Sequence, residues 1–448
     1  MNEPIPRQIT RNPDSAFFKV YRSIFWDRIR MLKRTATRHP EIVSSQVGSR
    51  ELINLYKPEY IYEALVVHSD KFEKEHIFKN STKPLLGNGL LLSEGAEHHR
   101  NRRLVAPAFV HRRIREYTNA MTEYTLRIMN SWHDGETIDI WQAMIRLTLG
   151  VTGKTLFGSD VTGEADEVKE HMNYLSHYAD RHVRHPFHFP YSWKTPNNNK
   201  ARKHIAALDA IIFNMIAERR ASTSESGDLL SILLLARDED DGTGMTDEQV
   251  RDEAMTIFLA GHETTANATT WMWYLLAKHP HIFQRLHEEV RSVCDTTPPT
   301  LDDLPKLPYA EQVFKEALRL YPPAYILART AQEDVWIDGY KIKKGAIVVI
   351  SPYILHRREE VFPDPEKFDP DRFSPEREAL IPRYAYLPFS AGPRVCIGNQ
   401  FAMLEGQIIA STIAQKFRLE LTDPKPVEME PLITLRPKGG MKMHVKLW

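Results

Sequence analysis

Residues 389–398 read Phe389-Ser-Ala-Gly-Pro-Arg-Val-Cys-Ile-Gly398, and the reading of the chain turns on them. Gly392 and Gly398 bracket Cys396. Glycine permits turns closed to other residues and lets backbone lie close against a flat ligand. The following stretch, Asn399–Phe417, has no proline and one glycine, so it reads as a helix beginning just after the cysteine. A thiol at a helix N-terminus meets the positive end of the dipole and exposed N–H groups, which favour thiolate. A lone free cysteine is most often a small buried hydrophobe. This setting instead points to a nucleophile, a redox sensor or a metal ligand.

Composition narrows the choice. The 448 residues carry 59 Lys+Arg and 59 Asp+Glu, so no net field recruits nucleic acid or a bilayer. Two cysteines, Cys294 and Cys396, exclude a disulfide framework, a four-cysteine zinc site and a cysteine-ligated iron–sulfur cluster. Met1–Arg22 lacks a signal pattern, and apolar stretches such as Leu229–Ala236 and Trp271–Ala277 are too short to span a membrane. The expectation is a cytoplasmic protein with no membrane anchor.

Helical spacing runs through Arg115–Trp132, Ala201–Arg220, Asp247–Lys278, His281–Val293 and Tyr309–Leu320. The long third segment contains Gly261, which costs about 1 kcal/mol relative to alanine and so calls for a packing or functional reason. Val335–Ile337 and Tyr340–Ile342 flank Asp338-Gly339, a tight-hairpin turn. Ala346–Ile350 reads as a further strand, and Ile433–Leu435 with Met441–Leu447 as a strand pair. The fold class is mainly α with a small β region (α+β), and residues 1–448 form one domain with β structure near 50–70, 335–355 and 430–448. Two loops stand out: the aromatic-rich His185–Asn199, and the acidic Asp238–Gly244, whose first EF-hand ligand position falls on Arg237, a cation, so a plain connector is expected.

Three further patterns accompany the cysteine loop. Glu316-Ala-Leu-Arg319 places opposite charges at i and i+3, on one helix face. Ala260-Gly-His-Glu-Thr-Thr265 sets an acid beside an alcohol, and Thr264 is placed to bond the Ala260 carbonyl. His98-His-Arg-Asn-Arg102 opens a stretch with six arginines and no carboxylate between Arg100 and Arg115. Histidines elsewhere show no His-Glu-x-x-His pattern, which makes a zinc hydrolase a poor second reading.

Taken together, these segments resemble the cytochrome P-450 haem-thiolate monooxygenases. The cysteine loop matches Phe-x-x-Gly-x-x-x-Cys-x-Gly, and the others match Glu-x-x-Arg, Ala/Gly-Gly-x-Asp/Glu-Thr-Thr/Ser and Trp-x-x-x-Arg, with His98 at the tryptophan position. The resemblance implies a triangular helical prism with haem b between the long helix and the cysteine loop. Cys396 would be the axial thiolate ligand, framed by Phe389 and Gly398; such a ligand pushes electron density onto iron and favours O–O cleavage. Ala260 and Gly261 would lie against the haem, Gly261 leaving room for dioxygen, while Glu263 and Thr264 serve its activation. His98, Arg102, Arg329 and Arg394 would meet the propionates. Glu316, Arg319 and Arg372 would form a structural core beneath the haem.

The same resemblance implies a lipophilic substrate, O2, and electrons from a separate ferredoxin or flavodoxin-type partner docking near Arg100–Arg115, because the chain ends too soon after Cys396 for a fused reductase. A monomer is expected. The pocket is expected to include Leu85, Leu92, Ala260, Tyr325, Ile326 and Ile433, and a fatty acid, terpenoid, steroid or polyketide fits it equally. Leu320-Tyr-Pro-Pro and His356-Arg-Arg lean towards the fatty-acid and eukaryotic-like branch. A peroxygenase or a non-catalytic haem sensor would not need the Glu263–Thr264 pair.

Overall fold

Residues 7–12, 28–184, 189–221, 228–237 and 242–448 are described by the computed structural model. In chain order the elements that build the site begin with α1 (Arg28–Arg38), β1 (Ile42–Val47), β2 (Arg50–Leu55), β3 (Phe72–Lys74) and α2 (His76–Leu86). They continue with α3 (Gly95–Val105), α4 (His111–Met129), β4 (Thr137–Asp139), α5 (Ile140–Phe157), α6 (Ala165–Arg184), α7 (Pro196–Ala221) and α8 (Asp247–Lys278). Next come α9 (Pro280–Cys294), α10 (Pro308–Leu320), β5 (Leu327–Ala331), β6 (Val335–Ile337), β7 (Tyr340–Ile342), β8 (Ile347–Ile350) and α11 (Asn399–Ala414). The last four strands are β9 (Phe417–Leu421), β10 (Met429–Pro431), β11 (Leu435–Pro437) and β12 (Lys442–Leu447).

Helix α8 forms the axis. Thr246 caps it: its hydroxyl accepts from the Gln249 N–H at 3.2 Å, and the Gln249 side chain accepts from the Thr246 N–H at 2.9 Å. The helix ends at Lys278, two residues before Pro280, where proline disfavours continuation. Nearly its whole circumference is buried, Trp271 and Trp273 completely. A Cβ at Gly261 would stand 3.2 Å from the Thr152 hydroxyl of α5, so this glycine lets α5 pack closely on α8. On the other side α10 and α11 meet through Gly406, where a Cβ would come within 2.4 Å of the Phe314 ring. The N-terminus of α10 is capped from α9, since Glu289 accepts from the Tyr309 and Ala310 N–H groups at 2.8 and 3.0 Å.

The principal sheet has the order β1-β2-β8-β5-β3, with β2 and β8 parallel (Leu52 opposite Ile347) and the other pairs antiparallel. β6 and β7 form the expected hairpin, turning at Asp338 and Gly339 with φ of 45° and 77°. Three expectations are corrected. The β structure near 50–70 stops at Leu55, because Pro58 starts a short helix running to Tyr62. The two C-terminal strands do not pair with each other: β11 pairs with β10, whereas β12 pairs with β4 and β9. Gly439 and Gly440, both at positive φ, separate them, and Gly440 lies so close to Asp139 of β4 that a Cβ there would touch its carboxylate. The helix expected through Phe417 ends at Ala414, and Phe417 opens β9.

Candidate active site

A cavity of about 1150 Å³ lies between α8 and the 389–398 loop. The loop is pinned at both ends. The Cys396 N–H donates to the Phe389 carbonyl at 2.9 Å, Val395 N–H to Gly392 at 3.0 Å, and Arg102 reaches from α3 to the Val395 carbonyl at 2.9 Å. Gly392 sits at φ +69°, and a Cβ there would fall 2.0 Å from the Leu65 carbonyl oxygen, so only glycine fits. The Cys396 side chain opens onto the cavity. Burial pushes its thiol up, while the Gly398 N–H and Arg102 pull the other way. Gly398 is the N-cap of α11, so the sulfur does stand at a helix N-terminus.

Across the cavity, α8 contributes Ala260, Gly261, Glu263 and Thr264 to the lining. The Thr264 hydroxyl donates to the Ala260 carbonyl at 2.7 Å, as its spacing predicts. Glu263 is held differently. Its carboxylate accepts from Thr434 at 2.6 Å, Thr434 accepts from the Asn267 side-chain amide at 3.1 Å, and Asn267 accepts from the Trp141 indole N–H at 2.8 Å. All three donations run towards the carboxylate. Asn267 and Thr434 escape the sequence reading, since only the fold brings the end of the chain against α8.

Cations gather at the cavity's rim. His98, Arg102, Arg329 and Arg394 line it as expected, together with Lys74 of β3, which no motif flags. Burial pushes Lys74 well below the usual lysine range, and Arg329 and Arg394 press in the same direction. Burial also lowers Arg329 and Arg394 to about 10, and His98 to about 4 with help from Arg102. Arg394 pairs with Glu94, yet its Nη1 is buried without a hydrogen-bond partner among the described residues. An orphaned guanidinium N–H beside two desolvated cations is what a site for a dianionic flat ligand requires. The donor set therefore fits haem propionates, with Cys396 facing the same cavity.

Behind the cysteine loop, Glu316 and Arg319 are fully buried and joined at 2.6 and 2.8 Å. Arg319 also donates to the carbonyls of His356, Pro365 and Lys367, at 2.7 to 3.0 Å. Arg372 lies 3.4 Å from Glu316, and the Asp369 N–H donates to Glu316 at 2.9 Å. His356 completes the cluster: its Nε2 accepts from the Leu387 N–H at 2.8 Å, two residues before Phe389, which leaves Nδ1 to donate to the Arg319 carbonyl at 3.3 Å.

Leu85, Ala260, Ile326 and Ile433 line the cavity, but two expected members do not. The Tyr325 hydroxyl donates to the Leu432 carbonyl at 2.9 Å and accepts from Arg28, which turns the ring away while Ala324 and Ile326 face inwards. Leu92 is fully buried in the core, because its N–H closes a turn onto the Gly89 carbonyl at 2.9 Å; Leu90 and Leu91 line the cavity instead. The arginine run also divides. Arg102 points inwards, Arg100 donates to Thr243 and Gly244, and Arg112 and Arg113 meet Glu116, a carboxylate just past the run. Of the expected aromatic lid, residues 185–188 lie outside the described residues, as do 238–241 of the acidic loop; Phe189 and Trp193 stack and are exposed. Cys294 is buried at the end of α9. No helix among the described residues is long and apolar enough to cross a membrane.

A profile of the Cytochrome P450 family matches residues 16–443. The chain is 36% identical over 407 residues to cyclooctatin synthase of Streptomyces melanosporofaciens, covering 90% of this chain and 87% of that protein. It is 33% identical over 395 residues to pentalenene oxygenase of Streptomyces avermitilis, covering 87% of each, and 30% identical over 436 residues to cytochrome P450 4V2 of Rattus norvegicus, covering 91% and 83%. A crystal structure of the cytochrome P450DA heme domain superposes with a TM-score of 0.89 at 26% identity, over 99% of this chain and 98% of that one. The family binds haem through a cysteine thiolate and works with O2 and a redox partner. With a mainly helical fold, small sheets and the thiol loop facing the acid–alcohol helix, the chain belongs to the cytochrome P450 family and is a monooxygenase.

Proposed function

We propose that this chain oxidises a terpenoid-class hydrocarbon or its alcohol, with Cys396 as the thiolate that would hold haem and the cavity it faces as the substrate pocket. The observation that carries the reading is that Cys396 shares one cavity with Ala260, Thr264 and a cationic rim. Haem bound there supplies the iron at which O2 is activated and one oxygen atom is passed to a C–H bond or an alkene. Lys74, His98, Arg102, Arg329 and Arg394 would hold its propionates. Thr264 presents a hydroxyl to the cavity, and Glu263, oriented as the acceptor end of the Trp141–Asn267–Thr434 chain, takes a proton from solvent and passes it inwards. Leu86, Leu90, Leu91, Ile257, Leu259 and Ile326 form an apolar wall that excludes water and suits a hydrocarbon skeleton. Pentalenene, a polycyclic terpene, is named in one relative, which favours that class over a linear acid.

Residues from Asn12 to Thr434 line this one cavity, which supports reading the chain as one domain. Electrons arrive from a ferredoxin or flavodoxin-type protein at the face carrying Arg103, Arg112 and Arg115, which are exposed. The test is the reduced carbon-monoxide spectrum of the holoprotein, followed by titration with pentalenene and with lauric acid. A long-wavelength Soret band lost in Cys396→Ala, with a low- to high-spin shift for pentalenene, is expected. Absence of the band refutes the ligand assignment; a shift for lauric acid alone refutes the substrate class.

A further inference from the structure

Two buried acids of α8 take no part in the chemistry assigned above. Asp252 and Glu253 are 9% and 1% exposed, about two turns before Ala260. They direct their carboxylates at backbone of the segment Gly87–Leu90. The Asn88 N–H donates to Asp252 at 2.7 Å, and the Leu90 N–H donates to Glu253 at 2.9 Å. Arg251 holds the other Asp252 oxygen at 2.9 Å. From the next turn the Thr256 hydroxyl reaches the Leu86 carbonyl at 3.4 Å, and from α3 the Asn101 amide reaches the Asn88 carbonyl at 3.4 Å. The contact admits no side chain: a Cβ at Gly87 would overlap the Asp252 carboxylate at 1.9 Å, and one at Gly89 would lie 2.5 Å from the Asp252 carbonyl oxygen.

This segment and its two neighbours bring Leu86, Leu90 and Leu91 to the cavity that Ala260 and Thr264 also line. One rigid helix thus carries both the oxygen-side residues and the acceptors that fix the facing apolar wall. From this we infer that Asp252 and Glu253 are positioning residues, which set the distance of the leucine wall from the reacting centre and so the size and orientation of substrate accepted. This rests on the assignment of the cavity to haem and substrate. An unpinned wall would have to be ordered by each ligand at the expense of affinity, and most so for a ligand large enough to reach it. Burial pushes the Glu253 carboxyl up to about 7 against the pull of the Leu90 N–H. What matters is therefore an acceptor oxygen, which a glutamine also offers, rather than a full charge.

The test uses holoprotein and two probes that ligate the iron: imidazole, which touches little else, and clotrimazole, which fills the pocket. In Glu253→Leu the ratio of the clotrimazole Kd to the imidazole Kd should rise at least about tenfold, while in Glu253→Gln it stays within about twofold of the parent. An unchanged ratio in Glu253→Leu overturns the inference if the thiolate band is intact, as does an equal change in both variants. Should Glu253→Leu not fold, hydrogen exchange in the parent decides: the Asn88 and Leu90 amides should be protected about a hundredfold or more, and exchange at open-loop rates overturns the inference. A parent without the thiolate carbon-monoxide band would instead sink the site assignment beneath it.

Discussion

Replacing Glu316 with glutamine changes one atom and one charge, at a place where the structure leaves no room for either change. The carboxylate accepts Arg319 Nε on one oxygen, and Arg319 Nη2 and the Asp369 N–H on the other. A glutamine has one acceptor oxygen, so whichever way it turns, its NH2 opposes a guanidinium N–H. Arg319 and Arg372, 0% and 5% exposed, then face each other across a neutral side chain with no water to screen them. Removing one partner of a buried pair costs about 3–5 kcal/mol. The three carbonyls that Arg319 also donates to hold it in place and favour the low end, about 3 kcal/mol. That is a large share of a stability of about 5–15 kcal/mol. The damage should reach the haem, because His356 links the Arg319 carbonyl to the Leu387 N–H just ahead of the cysteine loop. Urea unfolding of holoprotein, with haem content followed after gel filtration, should show a loss of about 3 kcal/mol and lowered haem retention. A loss under about 1 kcal/mol with full haem content would refute the argument that charge pairing holds this cluster.

Three other perturbations probe neighbouring points. Burial pushes His356 down to about 3, so the unfolded chain binds a proton there below about pH 6.5 that the native chain refuses. Its contribution to stability is therefore present above about pH 6.5 and falls away as pH drops, by about 2 kcal/mol at pH 5. The pH slope of urea stability should flatten in His356→Gln, and an unchanged slope contradicts the assignment. Gly392→Ala puts a residue at φ +69°, costing about 1–2 kcal/mol, and sets its Cβ against the Leu65 backbone carbonyl. The ratio of Soret to protein absorbance should fall well below the parent's, and an equal ratio would mean that the loop relaxes freely. Thr264→Ala keeps the thiolate band but should lower product formed per NAD(P)H consumed about tenfold; unchanged coupling removes Thr264 from oxygen activation.

What can be read in advance is whatever a few neighbouring residues determine. Gly392 and Cys396, four apart in one loop, and Glu316 with Arg319 on one helical turn are bound by local geometry, so their spacing carries their arrangement. Thr264 bonding Ala260 is an i, i+4 contact and is equally open to reading. Lys74, Asn267 and Thr434 are not, because each acquires its place from strands or helices far away in sequence. Tyr325 shows the opposite error. A tyrosine amid apolar pocket residues reads as a polar tip, yet its hydroxyl finds Arg28 and the Leu432 carbonyl across the fold and turns away. The C-terminal strands read as a pair because they adjoin in sequence, and the Gly439-Gly440 turn, which sends β12 to β4 and β9, carries no sign of direction.

The net charge of zero conceals the feature that makes the cavity specific. Lys74 from β3, Arg102 from α3, Arg329 from β5 and Arg394 from the cysteine loop come from four separate elements and meet at one rim. Arg329 and Arg394, lowered only to about 10, still carry their charge at neutral pH in surroundings that penalise it. Glu94 answers Arg394 in part, leaving one buried N–H without a partner among the described residues. Such an arrangement is costly without an anion and favourable with one, so ligand binding and the stability of the rim are linked. The strands β3 and β5 that carry two of these cations pair directly, Lys74 opposite Arg329. A dianion on this rim therefore ties the edge of the main sheet to the cysteine loop, joining the β region and the helical core through the ligand as well as through the chain.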